Sequence, residues 1–199
     1  MSDSGRKINS NIDNPIDNIL IGLCEPLSIL LNKYTNITPN IITTIGLIIG
    51  LVCVYCLNHQ YYLISIPLYW ITYFLDCLDG YYARKYNMTS NLGDYYDHFR
   101  DIIITCLIFV VLFTKMSKYN YEYIFAFIFV LFAICMMIHF GCQEANSHNT
   151  KHDYLLSYFT KWCAGKHYIN YTKYVGCGTF TLIISICIIY LYYLELKAA

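Results

Sequence analysis

Charge is the scarcest ingredient of this 199-residue sequence: only 13% of residues are Asp, Glu, Lys or Arg, against 57% in the hydrophobic set. A soluble domain carries roughly 25% charged residues, so both a disordered chain and an ordinary soluble globule are excluded. There is no net charge either, 13 basic residues offsetting 13 acidic ones, and with it goes the basic excess expected of a nucleic-acid partner. Also lacking is an apolar N-terminal stretch ending in a small-residue cleavage site. Met1 to Asn14 is polar, so no cleavable signal peptide is expected. Of the ten cysteines, Cys53, Cys56, Cys106, Cys135 and Cys187 fall inside apolar runs. They read as small polarisable hydrophobes in a reduced compartment rather than as a disulfide scaffold.

What the sequence has is long apolar runs. A membrane-crossing helix needs about 20 predominantly apolar residues. Ile41 to Leu57, Tyr61 to Leu78, Gly93 to Thr114, Tyr123 to Phe140 and Gly178 to Leu194 meet that requirement, and Tyr154 to Ala164 is a shorter sixth candidate carrying Lys161. Upstream, Ile16, Ile19, Leu20, Leu23, Leu27, Leu30 and Leu31 recur at helical spacing opposite Asp17, Asn18, Glu25 and Ser28, the pattern of an amphipathic helix lying on a membrane or packed on the bundle. Asn14 and Pro15 suit its N-cap and first position, and Pro26 is expected to kink it. The expected fold is all-α: a polytopic membrane helix bundle of five spans plus the sixth candidate, preceded by an N-terminal interfacial amphipathic helix. Residues 1–37 form the tail and that helix, and residues 38–199 the transmembrane domain. With the N-terminus inside, ten Lys and Arg lie on that side, and only Lys115 and Lys118 lie outside, Lys197 depending on the sixth span. The positive-inside bias then puts the region from Asp76 to Asp101 at the cytoplasmic face of a multi-pass protein.

Asp76, Asp79, Asp94, Asp97 and Asp101 crowd the junction of the second and third spans. Ionisable groups in membrane segments are expensive and mark function or a compensating cation. Asp76, Asp79, Gly80 and Ala83 share one helical face, as do Gly93, Asp97 and Asp101. Carboxylates so placed raise one another's pKa unless counter-charge is present. Hard divalent cations supply it, and Mg²⁺ characteristically binds a few carboxylates together with substrate phosphates. Gly80 and Ala83 leave room for a ligand against the backbone, and Arg84 carries a permanent charge suited to phosphate.

The run Asp76-Cys77-Leu78-Asp79-Gly80-Tyr81-Tyr82-Ala83-Arg84, then Gly93, Asp97 and Asp101, resembles the signature of the CDP-alcohol phosphotransferase family at every fixed position and both gaps. The resemblance implies that Asp76, Asp79 and Asp97 hold Mg²⁺ or Mn²⁺, two ions in all, and that Asp101 is the general base. It implies further that Gly80, Ala83, Arg84 and Gly93 contact the CDP moiety. The segment from Thr38 to Thr43 is similar to the family's polar start of the first span, which brings Asn40 and Thr43 toward the nucleotide. Read without the resemblance, Thr38 and Pro39 are an N-cap and first helical residue. The implied partners are a CDP-linked donor, an alcohol acceptor, the bilayer and a second copy of the chain in a homodimer.

The implied activity is phospholipid synthesis, the transfer of a substituted phosphoryl group, phosphatidyl in the leading reading, from a donor such as CDP-diacylglycerol to an alcohol, with release of CMP. Short chain length favours that branch. Asp97-His98 leans toward transferases that use CDP-choline or CDP-ethanolamine with diacylglycerol. A carboxylate-lined cation transporter is the rival of another class, and it leaves Gly80, Ala83, Arg84 and Gly93 unexplained. Asp94 reads as an interfacial acid. Glu144, His148 and His152 have metal-compatible spacing but read more simply as a solvated face. Cys53-Val54-Tyr55-Cys56 lacks a second pair and reads as packing, and Gly46 with Gly50 allows close helix approach, within the bundle or in a dimer.

Overall fold

Helix boundaries fall where the local chemistry puts them. In the computed structural model, which describes residues 5–146, 160, 163 and 168–198, the Asn14 side chain accepts from the backbone amides of Ile16 and Asp17 at 2.9 and 3.4 Å. Pro15 occupies the first position of α1, Pro15–Tyr34. The helix runs through Pro26 as one element. Next comes α2, Pro39–Asn58, where Thr38 holds the N-cap position without a side-chain capping bond, so Pro39 and the backbone alone start it. α3 is Tyr62–Lys85 and α4 is Asn91–Ser117, capped by Ser90, whose hydroxyl accepts from Gly93 N at 3.0 Å. α5 is Glu122–Ala145, and after a short helical turn at Ile169–Thr172 the chain ends in α6, Cys177–Ala198.

The links between α2, α3, α4 and α5 are too short for anything but antiparallel neighbours. Each contains one residue in the left-handed region: Gln60 at φ 67°, Asn87 at φ 55° and Asn120 at φ 59°. Asparagine tolerates that conformation better than most residues. By length and composition, α2, α5 and the stretch Ile169–Ala198 are apolar enough to cross a membrane. α3 and α4 are at least as long as α2 and α5, at 24 and 27 residues, but their facing ends carry the aspartates. The candidate span Tyr154 to Ala164 lies outside the described residues except for Thr160 and Cys163. α5 ends and α6 begins at the same end of the bundle, both held by the N-terminal segment: Gln143 Nε2 donates to Asp13 at 3.3 Å, and Asn14 Nδ2 to the Lys173 carbonyl at 2.6 Å.

Two apolar clusters flank the junction. Ile104, Ile108, Leu112, Phe125, Phe180, Ile184 and Ile188 fill the bundle beyond α4's first turns. Ile42, Leu78, Tyr81 and Tyr82 pack with Cys24 of α1. α1 turns the face carrying Asp17, Cys24 and Ser28 inward and leaves Ile19, Leu23 and Leu30 exposed. That face meets α3 through polar bonds, Tyr73 Oη donating to Asp17 Oδ1 at 2.6 Å and Lys85 reaching Ser28 Oγ at 3.3 Å, and through partly buried Leu27 and Leu31. Burial pushes the Asp17 carboxyl up to about 7, the bond from Tyr73 opposing it. Burial likewise raises Asp13, against its bond from the Asn14 amide.

Cysteine usage departs in one place from the all-thiol expectation. Cys142 in the last turns of α5 is joined to Cys163 in a disulfide, and both are buried beside Ile8 and Ile169. The bond joins two cysteines 21 residues apart. The other eight are free, and Cys53 packs inside the bundle as expected, its Sγ 3.2 Å from the Ser65 carbonyl.

Candidate active site

Three helix ends converge. The last turns of α3 bring Asp76, Asp79, Gly80, Ala83 and Arg84, the first turns of α4 bring Gly93, Asp97 and Asp101, and the start of α2 brings Asn40 and Thr43. A cavity of about 130 Å³ opens between them. All six residues expected to contact CDP line it: Asn40, Thr43, Gly80, Ala83, Arg84 and Gly93, together with Asp79, Asp94 and Asp97. A larger cavity of about 410 Å³, lined by Tyr62, Lys118, Tyr192 and Glu195, lies at the opposite end, away from the aspartates.

The small residues have specific work at these positions. A Cβ on Gly80 would come within 3.1 Å of Arg84 Nη1, so the missing side chain is what lets the guanidinium lie along the helix. A Cβ on Gly93 would meet Asn40 Oδ1 and Ser90 Oγ, each at 3.0 Å. Arg84 Nε donates to the Gly5 carbonyl at 2.8 Å, and a Cβ on Gly5 would meet the Tyr81 ring at 2.6 Å. The N-terminal segment therefore crosses the site beside Arg84, a contact between residues 79 positions apart that helical periodicity does not reveal.

The aspartates divide into two environments. One oxygen each from Asp76, Asp97 and Asp101 lies within 4.8 Å of the others, close enough for a shared cation. Asp79 is buried apart from them and accepts a 2.6 Å hydrogen bond from Thr43 Oγ1. Asp101 is the most open of the four, 49% exposed against 4% for Asp79. Their donor set is all hard carboxylate oxygen, which matches Mg²⁺ or Mn²⁺. Asp97 Oδ1 is buried and makes no well-aligned hydrogen bond; its partner is a cation, Arg100 Nη2 at 2.9 Å.

Among these carboxylates sits Arg100, fully buried, a residue that sequence reasoning used only to orient the bundle. Its Nη2 lies 2.9 Å from Asp97 Oδ1, 2.6 Å from Asp101 Oδ1 and in contact with Asp76 Oδ1, while Nη1 stands 3.6 Å from Asp79 Oδ2. The signal that finds it is positional: Asp97, Arg100, Asp101, Ile104 and Ile108 fall on one face of α4. Gly46 makes its seat, since a Cβ there would stand 2.9 Å from Arg100 Nη1, and Gly50 receives Ile104 in the same way at 2.8 Å. The Gly46 and Gly50 pair thus serves packing inside the chain.

The remaining sequence candidates are accounted for more simply. Glu144 is buried with Lys7 Nζ at 3.2 Å, while His148 and His152 lie outside the described residues. Asp94 is exposed at the cavity rim. In comparison with known proteins, the family model described as CDP-alcohol phosphatidyltransferase matches residues 36–197. No curated protein matches the chain.

Proposed function

Because the chain belongs to the CDP-alcohol phosphatidyltransferase family, whose members transfer phosphate-containing groups, we propose that it is an integral-membrane phospholipid-synthesis enzyme. It moves a phosphatidyl group from CDP-diacylglycerol to an alcohol acceptor and releases CMP. One observation carries this reading: the six residues expected to touch CDP line a single cavity, with Asp79 and Asp97 on its wall.

In this reading the acceptor hydroxyl oxygen attacks the phosphorus that bears the diacylglycerol. The bond from that phosphorus to CMP breaks, and the hydroxyl proton passes to Asp101. Asp101 is suited to this as the carboxylate most open to an incoming alcohol. Asp76, Asp79 and Asp97 would hold the divalent metal, Mg²⁺ or Mn²⁺, with an oxygen of Asp101 close by. When bound, that metal neutralises charge on the diphosphate and on the departing CMP. Arg84 faces the donor's phosphate oxygens, and Gly80 and Ala83 admit the nucleotide close to the helix. Thr43 orients Asp79 through their buried bond.

α2 to α6 make five crossings, with α1 lying at the interface, its exposed Ile19, Leu23 and Leu30 toward lipid. Among the described residues, Arg6, Lys7, Lys33, Arg84, Lys85, Arg100 and Lys173 gather at the site end, and Lys115, Lys118 and Lys197 at the other. That bias supports a site on the cytoplasmic side, where the nucleotide would be drawn from water while the lipid tails remain in the bilayer. A cation path through the bundle is disfavoured because Ile104, Ile108 and Leu112 pack the interior directly beyond Arg100. A homodimer, the assembly implied by the family resemblance, would use faces other than Gly46 and Gly50, which α4 already covers.

The test is CMP release by the purified chain in lipid micelles, with CDP-diacylglycerol offered against a panel of alcohols and, in parallel, CDP-choline or CDP-ethanolamine against diacylglycerol. Release that needs Mg²⁺ or Mn²⁺, and that is lost in Asp76→Ala and Asp97→Ala, is expected with the first donor. Full turnover in excess chelator would overturn the metal assignment, and turnover with the second donor alone would reassign the branch.

A further inference from the structure

Arg100 carries a consequence beyond that reading, although it rests on the reading that this aspartate cluster, in which oxygens of Asp76, Asp97 and Asp101 come together, holds a divalent metal. We propose that Arg100 is a tethered counter-ion that competes with the metal for these three carboxylates, so that metal entry requires the guanidinium to withdraw from them.

The contacts define one position for two cations. Asp76, Asp97 and Asp101, which each bring an oxygen within 4.8 Å of the others, are also the three carboxylates that a single nitrogen, Arg100 Nη2, already reaches through their Oδ1 atoms. Mg²⁺ binds oxygen at about 2.0–2.1 Å and takes a full octahedral shell, which leaves no space for a guanidinium nitrogen among the same oxygens. Occupation by one excludes the other.

The arginine is held firmly enough to serve and loosely enough to move. Nε and Nη2 both donate to Asp101 Oδ1, at 3.1 and 2.6 Å. Nη1 makes no hydrogen bond although it is buried, and a buried donor without an acceptor is destabilising. The seat against Gly46 therefore satisfies one side of the guanidinium only. Charge points the same way. Arg100 brings a single positive charge into direct contact with four carboxylates, so a dication gains more from the cluster than Arg100 does, while the metal-free protein is spared the full repulsion of unpaired acids. Arginine suits the task because its fork spans several carboxylates and its charge is permanent.

The experiment measures Mn²⁺ binding to the full-length chain in detergent, by the loss of the free-ion paramagnetic resonance signal, for wild type, Arg100→Gln and Arg100→Lys. Removing a competitor should tighten binding, so Arg100→Gln should bind Mn²⁺ about tenfold more tightly than wild type. Arg100→Lys, with one short-reaching ammonium, should fall between them. In chelator, Arg100→Gln should melt well below wild type, and saturating Mn²⁺ should close most of that gap. A purely structural or substrate-binding Arg100 predicts unchanged or weaker Mn²⁺ binding in both variants, which would overturn the inference while leaving the metal reading intact. If Arg100→Gln does not fold, Arg100→Lys decides, weaker binding than wild type counting against the proposal. No Mn²⁺ uptake by wild type, with CMP release surviving chelator, would remove the metal reading and this inference together.

Discussion

Replacing Thr43 by Val keeps the branched shape and removes one hydroxyl, the group that donates to Asp79 Oδ2 at 2.6 Å inside the bundle. Thr43 and Asp79 are only 2% and 3% exposed, so water cannot readily take the hydroxyl's place. A hydrogen bond to a charged group contributes about 1.5–3 kcal/mol, and orphaning a buried acceptor costs a similar amount. A loss of about 2 kcal/mol is therefore expected, and for a chain of 150–250 residues it lowers the melting temperature by roughly 4–8 °C. Thr43→Ser retains the donor and should lie much closer to wild type. The assay is thermal unfolding in detergent, followed by tryptophan fluorescence or by aggregation, run beside CMP release at several donor concentrations. Turnover should fall in Thr43→Val because Asp79 loses the contact that sets its orientation. A melting temperature equal to wild type would show that Asp79 does not depend on this bond. Equal damage from Ser and Val would assign the effect to the methyl group's packing.

Asp101→Asn keeps size and an acceptor oxygen but cannot take the acceptor's proton, so kcat should fall by at least about a hundredfold while CDP-diacylglycerol still binds. Loss of donor binding instead would make Asp101 chiefly a ligand-holding residue. Asp17 supplies a pH test, since burial raises its folded carboxyl to about 7. An acid that holds its proton more tightly when folded contributes stability in full below its unfolded pKa and loses it as pH rises through the folded value. Asp17→Asn should therefore match wild type at about pH 4 and gain on it by about pH 8, and parallel melting curves across that range would refute the assignment. Asn36, Asn87 and Asn170 head the acceptor patterns Asn-x-Thr, all at the site end of the bundle. With that end cytoplasmic, none should acquire a glycan in a eukaryotic secretory membrane. A deglycosidase-sensitive mobility shift traced to Asn87 would invert the orientation.

Much of the site was legible because helical periodicity is a local property. The intervals from Asp76 to Arg84 and from Gly93 to Asp101 put each set on one face before any tertiary contact is known, and the cavity collects those faces with Asn40 and Thr43. Arg100 obeys the same periodicity, but in the sequence it counts only toward the charge bias that orients the bundle, since nothing local says whether an arginine turns to water or to a neighbouring carboxylate. The amphipathic pattern of α1 was also legible, although the residues it buries fully are Asp17, Cys24 and Ser28, with Leu27 and Leu31 only partly buried beside them.

Composition, apolar run length and capping residues by themselves determined an all-helical chain, where its helices begin, and which carboxylates share a face. These are properties of one helix and its nearest residues along the chain. Only the tertiary structure decided that Thr43 bonds Asp79, that Gly46 seats Arg100 among four aspartates, and that Gly5 reaches Arg84. Each of those contacts joins separate segments, and their register depends on how helices slide and rotate against one another until side chains interlock. The sequence carries that information only as the sum of the whole packing, not in any short window of residues.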